Sequence, residues 1–256
     1  MIQVDKLTKY FRNTCAVDQI SFEVKRGEIV GLLGPNGAGK TTTLRILTCY
    51  MQPSSGSVRV IGHNIYDHPL EIKNRIGYLP ESAPLYPEML VYDYLRFIAG
   101  VRGMKGEEQL LRIKELALLC GLNEVMHKSI HELSKGYKQR VGLAHAMMSN
   151  PEILILDEPT SGLDPNQILE IREIIKAIGK EKTILLSTHI LSEAEATCNR
   201  IIIINRGKIV ADGATEEIKK DTADQYIVNV SLQLTDYNSV KKAFDTIEGV
   251  SEVILR

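Results

Sequence analysis

A glycine-rich segment between a predicted strand and a predicted helix restricts the fold of this chain more than any other feature. The segment reads Gly34-Pro35-Asn36-Gly37-Ala38-Gly39-Lys40-Thr41-Thr42 and matches the pattern GxxxxGK[ST]. It follows the apolar run Ile29–Leu33 and precedes a helical pattern, which is the context that the pattern requires. A glycine-rich surface turn would not account for these neighbours. The segment therefore predicts an α/β fold that holds phosphate groups.

Each part of this segment suits a phosphorylated ligand. Its glycines let successive backbone N–H groups point at phosphate oxygens, and the helix N-terminus adds about half a positive charge. Lys40 is expected to reach the β- and γ-phosphates, and the Thr41 hydroxyl is expected to bind Mg²⁺. The predicted ligands are therefore ATP and Mg²⁺, held by Asn36, Gly37, Ala38, Gly39, Lys40, Thr41 and Thr42.

A pair of carboxylates follows a second apolar run, Ile153–Leu156. The tip of a buried strand is where open α/β sheets place ligand groups, so Asp157 is expected to hold Mg²⁺ through its water shell. Pro159 disfavours helix at Glu158, which is expected to face the attacking water as a general base. Taken alone, the pair is equally consistent with an ordinary acidic strand end. The phosphate loop favours the catalytic interpretation.

The remaining pattern predicts one large domain and a tail. Strands and helices alternate over residues 1–220, which indicates a parallel α/β sheet, and the mostly helical stretch at about 82–150 is interpreted as an inserted subdomain. Within the domain, Asp164-Pro165-Asn166-Gln167 predicts the start of a helix. Residues 221–256 alternate as strand, helix and strand, and are interpreted as a partial accessory β–α–β unit.

Composition excludes several classes of function. The 256 residues carry 31 Lys+Arg against 32 Asp+Glu, a net charge of −1 that argues against a dedicated nucleic-acid binder. The four cysteines are scattered without a CxxC pair, which is typical of reduced thiols in a cytosolic protein. No apolar run approaches the roughly 20 residues of a membrane span. We therefore expect a cytoplasmic protein that reaches a membrane only through a partner.

Three further segments, in this order, resemble the nucleotide-binding subunit of an ABC transporter. Leu133-Ser134-Lys135-Gly136-Tyr137-Lys138-Gln139-Arg140 is similar to the LSGGQ signature of that family. Ser161-Gly162-Leu163-Asp164 matches its D-loop, and His189 matches its switch histidine. Phe11, or alternatively Tyr10, falls where the family stacks an aromatic ring on adenine. The resemblance covers roughly residues 2–215.

The resemblance implies a fold, an activity and partners. The fold would be that of a P-loop NTPase, with a mixed sheet, an N-terminal antiparallel β subdomain and an inserted helical subdomain. Two such subunits, identical or paralogous, would dimerise head to tail around two Mg·ATP and drive an integral membrane permease from its cytoplasmic face. The segment 81–89 would line the groove that takes a helix of that permease. No nucleic acid is expected as a partner.

The resemblance also assigns roles to individual residues. The signature of one subunit would complete the ATP site of the other, since a helix N-terminus led by serine and glycine is a second anion site. The implied catalytic residues are Glu158, His189 and Lys40. The implied ligands of ATP outside the phosphate loop are Phe11, Ser134 and Gly136. The implied metal ligands are Thr41, Asp157 and Glu81.

Three residues depart from the family pattern. Lys135 stands where the family usually has glycine, and Tyr137 where it has glutamine. Glu81 occupies the position of a glutamine that ligates Mg²⁺; a carboxylate accepts hydrogen bonds but cannot donate one, and it adds negative charge beside a triphosphate. These residues together resemble an exporter branch of the family that includes drug, sodium and gliding-motility systems.

Two other functions are compatible with a phosphate loop. A soluble ABC ATPase acting in DNA repair would carry long coiled-coil insertions, and one acting in translation would usually carry two cassettes and a basic linker. The sequence shows one cassette, no sustained heptads and no basic run. A small-molecule kinase would leave the segment Leu133–Tyr137 and His189 unexplained.

Overall fold

The computed structural model describes residues 1–218 and, beyond them, residues 241 and 244. The chain divides into two units, Met1–Asp221 and Thr222–Arg256. The β–α–β unit expected at 221–256 lies outside the described residues, apart from those two positions, and stays a prediction.

Within residues 1–218, strands and helices alternate along the chain. The strands are β1 (Ile2–Phe11), β2 (Thr14–Val24), β3 (Ile29–Leu33), β4 (Ser55–Val60), β5 (His63–Asn64), β6 (Ile76–Leu79), β7 (Ile153–Asp157), β8 (Thr183–Thr188), β9 (Arg200–Asn205) and β10 (Lys208–Ala214). The helices are α1 (Lys40–Leu47), α2 (Pro69–Arg75), α3 (Val91–Val101), α4 (Gly106–Leu119), α5 (Lys135–Met147), α6 (Pro165–Gly179) and α7 (Leu191–Thr197).

The strands form two sheets. The first is antiparallel, in the order β2-β1-β4-β5. The second has the order β10-β9-β3-β8-β7-β6, in which β10 is antiparallel to β9 and every other neighbouring pair is parallel. These two sheets confirm the predicted mixed sheet and the predicted antiparallel β subdomain.

The six-stranded sheet is covered on both faces, which explains why its central strands are continuously apolar. In β7, Ile153 and Ile155 pack into a cluster with β1, β2 and α1, whereas Leu154 and Leu156 pack into a second cluster with helices α3 to α7. All five residues of β7 are buried. Strands buried on both faces show no alternation of polar and apolar residues.

Between β6 and β7 the chain forms the predicted helical region, built mainly of α3, α4 and α5. Its core contains Tyr94, Leu95, Ile113, Leu116 and Val141. Leu110 shares the helical spacing of the buried residues of α4 but is 54% exposed, because the first turns of that helix lie outside the core. Among the described residues, no helix combines the length and the apolarity needed to cross a bilayer.

Candidate functional site

The order of strands brings three loops to one edge of the large sheet. β3 lies between β9 and β8, and β8 lies beside β7, so the carboxyl ends of β3, β7 and β8 are neighbours. Leu33 pairs with Thr188, and Asp157 pairs with Ser187. The Gly34 N–H donates to the Thr188 carbonyl at 3.3 Å. The phosphate loop therefore begins beside the residues that follow β7 and β8.

The phosphate loop takes a shape that depends on glycine at two positions. Gly39 has a φ of +109°, and a Cβ at this position would lie 2.5 Å from the carbonyl oxygen of Ala16. A Cβ at Gly34 would lie 2.1 Å from the carbonyl oxygen of Ile204. The Gly207 N–H donates to the Ala38 carbonyl at 3.0 Å. Contacts with strands distant in sequence thus hold the loop against the sheet.

The loop residues differ in their exposure to solvent. Asn36 and Gly37 are exposed at its tip, and Thr41 and Thr42 are partly exposed at the start of α1. Ala38, Gly39 and Lys40 are buried. The loop therefore has an exposed tip and a buried base from which α1 begins.

Lys40 is the charged centre of this loop. Its Nζ donates to the carbonyl oxygens of Gly34 at 2.7 Å and Pro35 at 3.2 Å. The same atom lies 3.2 Å from Oε1 of Glu158, and both side chains are more than 90% buried. This ion pair lacks hydrogen-bond geometry, and Oε1 has no other polar partner among the described residues. The two buried charges therefore neutralise each other at the floor of the loop.

Asp157 joins the phosphate loop to β8. Its Oδ1 accepts a hydrogen bond from the Thr41 hydroxyl at 3.1 Å and another from the Ser187 hydroxyl at 2.7 Å. The Ser187 Oγ in turn accepts from the Glu158 N–H at 2.9 Å. The structure thus brings Thr41 and Asp157, two of the predicted metal ligands, into direct contact. It also shows a role for Ser187 that no sequence motif indicated.

Glu158 stands between Lys40 and His189. Its backbone has a φ of +49°, a conformation that non-glycine residues adopt rarely. Oε2 lies 2.9 Å from Nδ1 of His189, and because a carboxylate only accepts, the imidazole donates from Nδ1. The three residues predicted to be catalytic therefore form one continuous contact group, which we call the Lys40–Glu158–His189 group.

A buried carboxylate on α7 connects the loops that carry this group. Oε2 of Glu193 accepts hydrogen bonds from the hydroxyls of Thr160, after β7, and Thr188, at the end of β8, at 2.5 and 3.2 Å. The Thr188 hydroxyl also accepts from the Ile190 N–H. Glu193 is not among the residues predicted from the sequence. The available signal was a charged residue beside Ala194 on the side of α7 that faces the core.

Ser134 and Gly136 lie at the beginning of α5, apart from the Lys40–Glu158–His189 group. The Ser134 Oγ caps the helix by accepting from the Tyr137 N–H at 3.3 Å, and the serine is exposed. Gly136 packs against the side chain of Gln167. Within the described part of the chain, no hydrogen bond joins Ser134 or Gly136 to the phosphate loop. Ser134 is thus exposed at the start of α5, whereas Gly136 is buried.

Phe11 and Glu81 also lie at the surface without contact to the group. Phe11 is 45% exposed at the end of β1, with Lys9 Nζ 5.4 Å from the centre of its ring. The neighbouring Tyr10 is 50% exposed. Glu81 is exposed and forms no hydrogen bond or ion pair among the described residues. The proposed roles of these residues in binding adenine and metal remain predictions.

The chain matches a known family over more than half of its length. The profile of the family described as "ABC transporter" matches residues 17–161. A second profile, described as "AAA domain, putative AbiEii toxin, Type IV TA system", matches residues 129–194.

Two relatives and one solved structure illustrate the similarity. "Probable multidrug ABC transporter ATP-binding protein YbhF" of Escherichia coli is 39% identical over 88% of this chain and 39% of that protein. "Bacitracin transport ATP-binding protein BcrA" of Bacillus licheniformis is 38% identical over 93% of this chain and 76% of that protein. A dimeric structure described as a post-hydrolysis state of the ATP-binding cassette MJ0796 bound to ADP and Pi superposes with a TM-score of 0.77. It is 26% identical, covering 84% of this chain and 99% of that one. The chain thus spans well under half the length of YbhF.

Proposed function

The chain belongs to the ATP-binding proteins of the ABC transporter family, and from this premise we propose that it is the subunit that binds and hydrolyses ATP to drive a separate membrane permease. The observation that carries the proposal is the Lys40–Glu158–His189 group at the floor of the phosphate loop. In this group, the Lys40 ammonium can bind phosphate, the Glu158 carboxylate can accept a proton from water, and the His189 imidazole contacts that carboxylate.

The residues beside this group fit a Mg²⁺ ion. Mg²⁺ prefers oxygen ligands and is usually bound through one or two protein groups together with phosphates and water. Thr41 Oγ1 and Asp157 Oδ1 are such oxygens, in contact with each other at 3.1 Å, and Glu81 is proposed as a further ligand. When bound, Mg²⁺ would neutralise phosphate charge and orient the γ-phosphate.

ATP binding would rearrange the contacts of Lys40. Its ammonium now contacts two loop carbonyls and Glu158. A triphosphate offers stronger acceptors, so Lys40 would turn to the β- and γ-phosphates and leave Oε1 of Glu158 without its counter-ion. The released carboxylate can then accept a proton from the attacking water as a general base. His189, which donates to Oε2, would hold Glu158 in place and face the γ-phosphate.

A second copy of the cassette would complete the site. The exposed N-terminus of α5, capped by Ser134, makes no contact with its own phosphate loop among the described residues. A helix N-terminus attracts anions. We propose that Ser134 and Gly136 contact the γ-phosphate bound by a second subunit, identical or paralogous, in a head-to-tail dimer.

The permease would dock on the helical region. Tyr86, within the proline-containing segment 81–89, is 51% exposed, and Phe97 on α3 is 45% exposed; their ring centres lie 5.7 Å apart. Exposed aromatic clusters mark interaction sites on many proteins. The names of YbhF and BcrA refer to multidrug and bacitracin transport, and they support the proposal that the permease is an exporter, with this subunit on the cytoplasmic face of the membrane.

The activity is tested by Glu158→Gln. The amide keeps the size of the side chain but cannot take a proton, so we expect ATP turnover to fall by about 10²–10⁴-fold while ATP binding is retained. Turnover is measured by phosphate release and binding by fluorescence of a labelled nucleotide. Glu181→Gln, at an exposed position in the turn after α6, is the matched control and should hydrolyse ATP at the wild-type rate. Undiminished turnover in Glu158→Gln contradicts the role of this residue as base.

The partner is tested by purifying the tagged protein from its own cells in mild detergent. A polytopic membrane protein in stoichiometric amount is the expected companion. Copurification of ribosomes or DNA without a membrane protein would favour the soluble ABC ATPase instead.

A further inference from the structure

Two histidines and a glutamate converge on the surface of the antiparallel β subdomain, and they take no part in the proposed ATP site. His63 belongs to β5, His68 precedes α2, and Glu71 lies in the first turn of α2. The Nδ1 atom of His63 is 3.3 Å from Oε2 of Glu71, and that of His68 is 3.5 Å from Oε1. One ligand atom from each residue lies within 4.8 Å of the other two.

The donor set identifies the class of ligand. Imidazole nitrogens suit Zn²⁺ and the neighbouring transition metals, whereas Mg²⁺ prefers oxygen ligands alone. Two histidines and one glutamate are a known set of protein ligands for Zn²⁺, and they leave a fourth position for water or another group. In a tetrahedral site with metal–ligand distances of about 2.0–2.2 Å, the ligand atoms lie about 3.5 Å apart. The two separations between a histidine Nδ1 and a Glu71 oxygen, 3.3 and 3.5 Å, are close to this value, and the three ligand atoms all lie within 4.8 Å of one another.

The backbone holds the three residues in this arrangement. β5 pairs with β4, where His63 is opposite Val60. The Asn64 carbonyl accepts from the N–H groups of Asp67 and His68, and the Asn64 side chain accepts from the Tyr66 N–H. Pro69 begins α2 immediately after His68. A metal would therefore find its ligands on a short, internally bonded turn, and only side-chain rotation is needed to close the site.

Both imidazole rings point a nitrogen at the same carboxylate. The ring centres are 5.0 Å apart and the ring planes are inclined at 62°, so the rings are not stacked on each other. All three side chains are partly exposed, with 33%, 48% and 57% of their surfaces accessible. An ion can therefore reach the three ligand atoms from solvent.

We propose that His63, His68 and Glu71 form a binding site for one Zn²⁺ ion or a similar divalent transition metal. The ion would take the place of the direct contacts between the two imidazoles and the Glu71 carboxylate, and it would link β5 to the start of α2. Because metal binding favours only the folded arrangement of these ligands, it would also stabilise the β subdomain.

The test is titration of the intact, nucleotide-free protein with Zn²⁺ alone, in competition with a chelating dye. We expect the wild type to bind one equivalent of Zn²⁺. Each of His63→Gln, His68→Gln and Glu71→Gln should lower the Zn²⁺ affinity about tenfold or more. His127→Gln changes an exposed histidine outside the cluster and is the matched control; its Zn²⁺ affinity should equal that of the wild type.

Two further measurements make the test decisive. Zn²⁺ should raise the melting temperature of the wild type and of His127→Gln more than that of the triple variant His63→Gln/His68→Gln/Glu71→Gln. All these variants should bind and hydrolyse ATP like the wild type, since none of the three side chains contacts the phosphate loop. The proposal is overturned if the triple variant binds the same number of Zn²⁺ equivalents with unchanged affinity, or if the wild type binds Zn²⁺ no more tightly than the triple variant.

Discussion

Ser187 shows how one small residue can organise the chemistry of a neighbour. Its hydroxyl donates to Asp157 Oδ1 and accepts from the Glu158 N–H, so it sets the position of both carboxylates. It is fully buried, and water cannot replace either bond without a cavity to hold it. The geometry of the predicted acidic pair therefore depends on a residue that lies thirty positions away in the sequence.

Ser187→Ala is expected to lower the free energy of unfolding by about 1–3 kcal/mol, because it leaves the Glu158 N–H without its buried acceptor. Urea denaturation at neutral pH measures the change. Ser149→Ala is the control: Ser149 Oγ is buried and has no hydrogen-bond partner among the described residues. Its removal should leave stability unchanged or raise it slightly. Equal losses in the two variants would show that the Ser187 hydrogen bonds are not the cause.

Helix α5 carries a partly buried histidine that makes the stability of the helical region depend on pH. Nδ1 of His145 lies 2.8 Å from the hydroxyl of Tyr94 on α3. Burial lowers the pKa of His145 below its ordinary value, and the cation of Arg102 lowers it further. Burial also raises the pKa of Tyr94 to about 12, so the phenol stays protonated. Both side chains are therefore neutral in the folded helical region at physiological pH.

The unfolding free energy should consequently fall as the medium is acidified. The unfolded chain protonates His145 near the ordinary value of about 6.5, whereas the folded protein resists protonation until its lower pKa is reached. Between the pKa of His145 in the folded protein and about pH 6.5, the free energy of unfolding falls by at most about 1.4 kcal/mol for each pH unit of acidification. Above about pH 6.5 the stabilising contribution of neutral His145 is fully present.

Urea denaturation of the wild type and of His145→Gln, at a pH above about 6.5 and at a more acidic pH, measures the contribution of His145 to the free energy of unfolding. The wild type should lose more stability on acidification than the variant does, because glutamine does not titrate. Identical pH profiles of the two proteins would contradict the linkage.

At the scale of the whole molecule, the proposed active site is divided between two faces of the chain. The Lys40–Glu158–His189 group lies at the edge of the large sheet, while Ser134 is exposed at the start of the largely buried helix α5 and makes no hydrogen bond with that group among the described residues. We propose that a single copy therefore carries two incomplete halves of the site. Head-to-tail pairing of two copies would join each half to its complement.

We expect Glu158→Gln to form a dimer in the presence of Mg·ATP, because the bound γ-phosphate then bridges two subunits without being hydrolysed. Adding Ser134→Arg should abolish that dimer by blocking the end of α5, while leaving ATP binding by each monomer intact. Sedimentation velocity with and without Mg·ATP distinguishes the two states. A dimer that persists in Glu158→Gln/Ser134→Arg would show that the N-terminus of α5 does not bridge the subunits.

Local sequence was sufficient to predict the parts of the molecule whose conformation depends on neighbouring residues. Asp164 caps α6 by accepting from the Gln167 N–H at 3.0 Å, and Pro165 begins the helix, as the motif predicts. The Gln167 side chain makes a longer-range contact, because its Nε2 donates to Ser134 Oγ at the start of α5 at 3.5 Å. The sequence of α6 contained no signal for this contact with another helix.

The sequence by itself determined the phosphate loop, the acidic pair after β7 and the start of α6, because glycine, proline and carboxylate patterns act on the backbone within a few residues. The tertiary structure alone decided that β3 lies between β8 and β9, and so that Lys40, Glu158 and His189 meet. It also decided the positions of Ser187 and Glu193. The order of strands follows from which apolar faces bury each other across the whole domain, and this long-range packing is not encoded in any single segment.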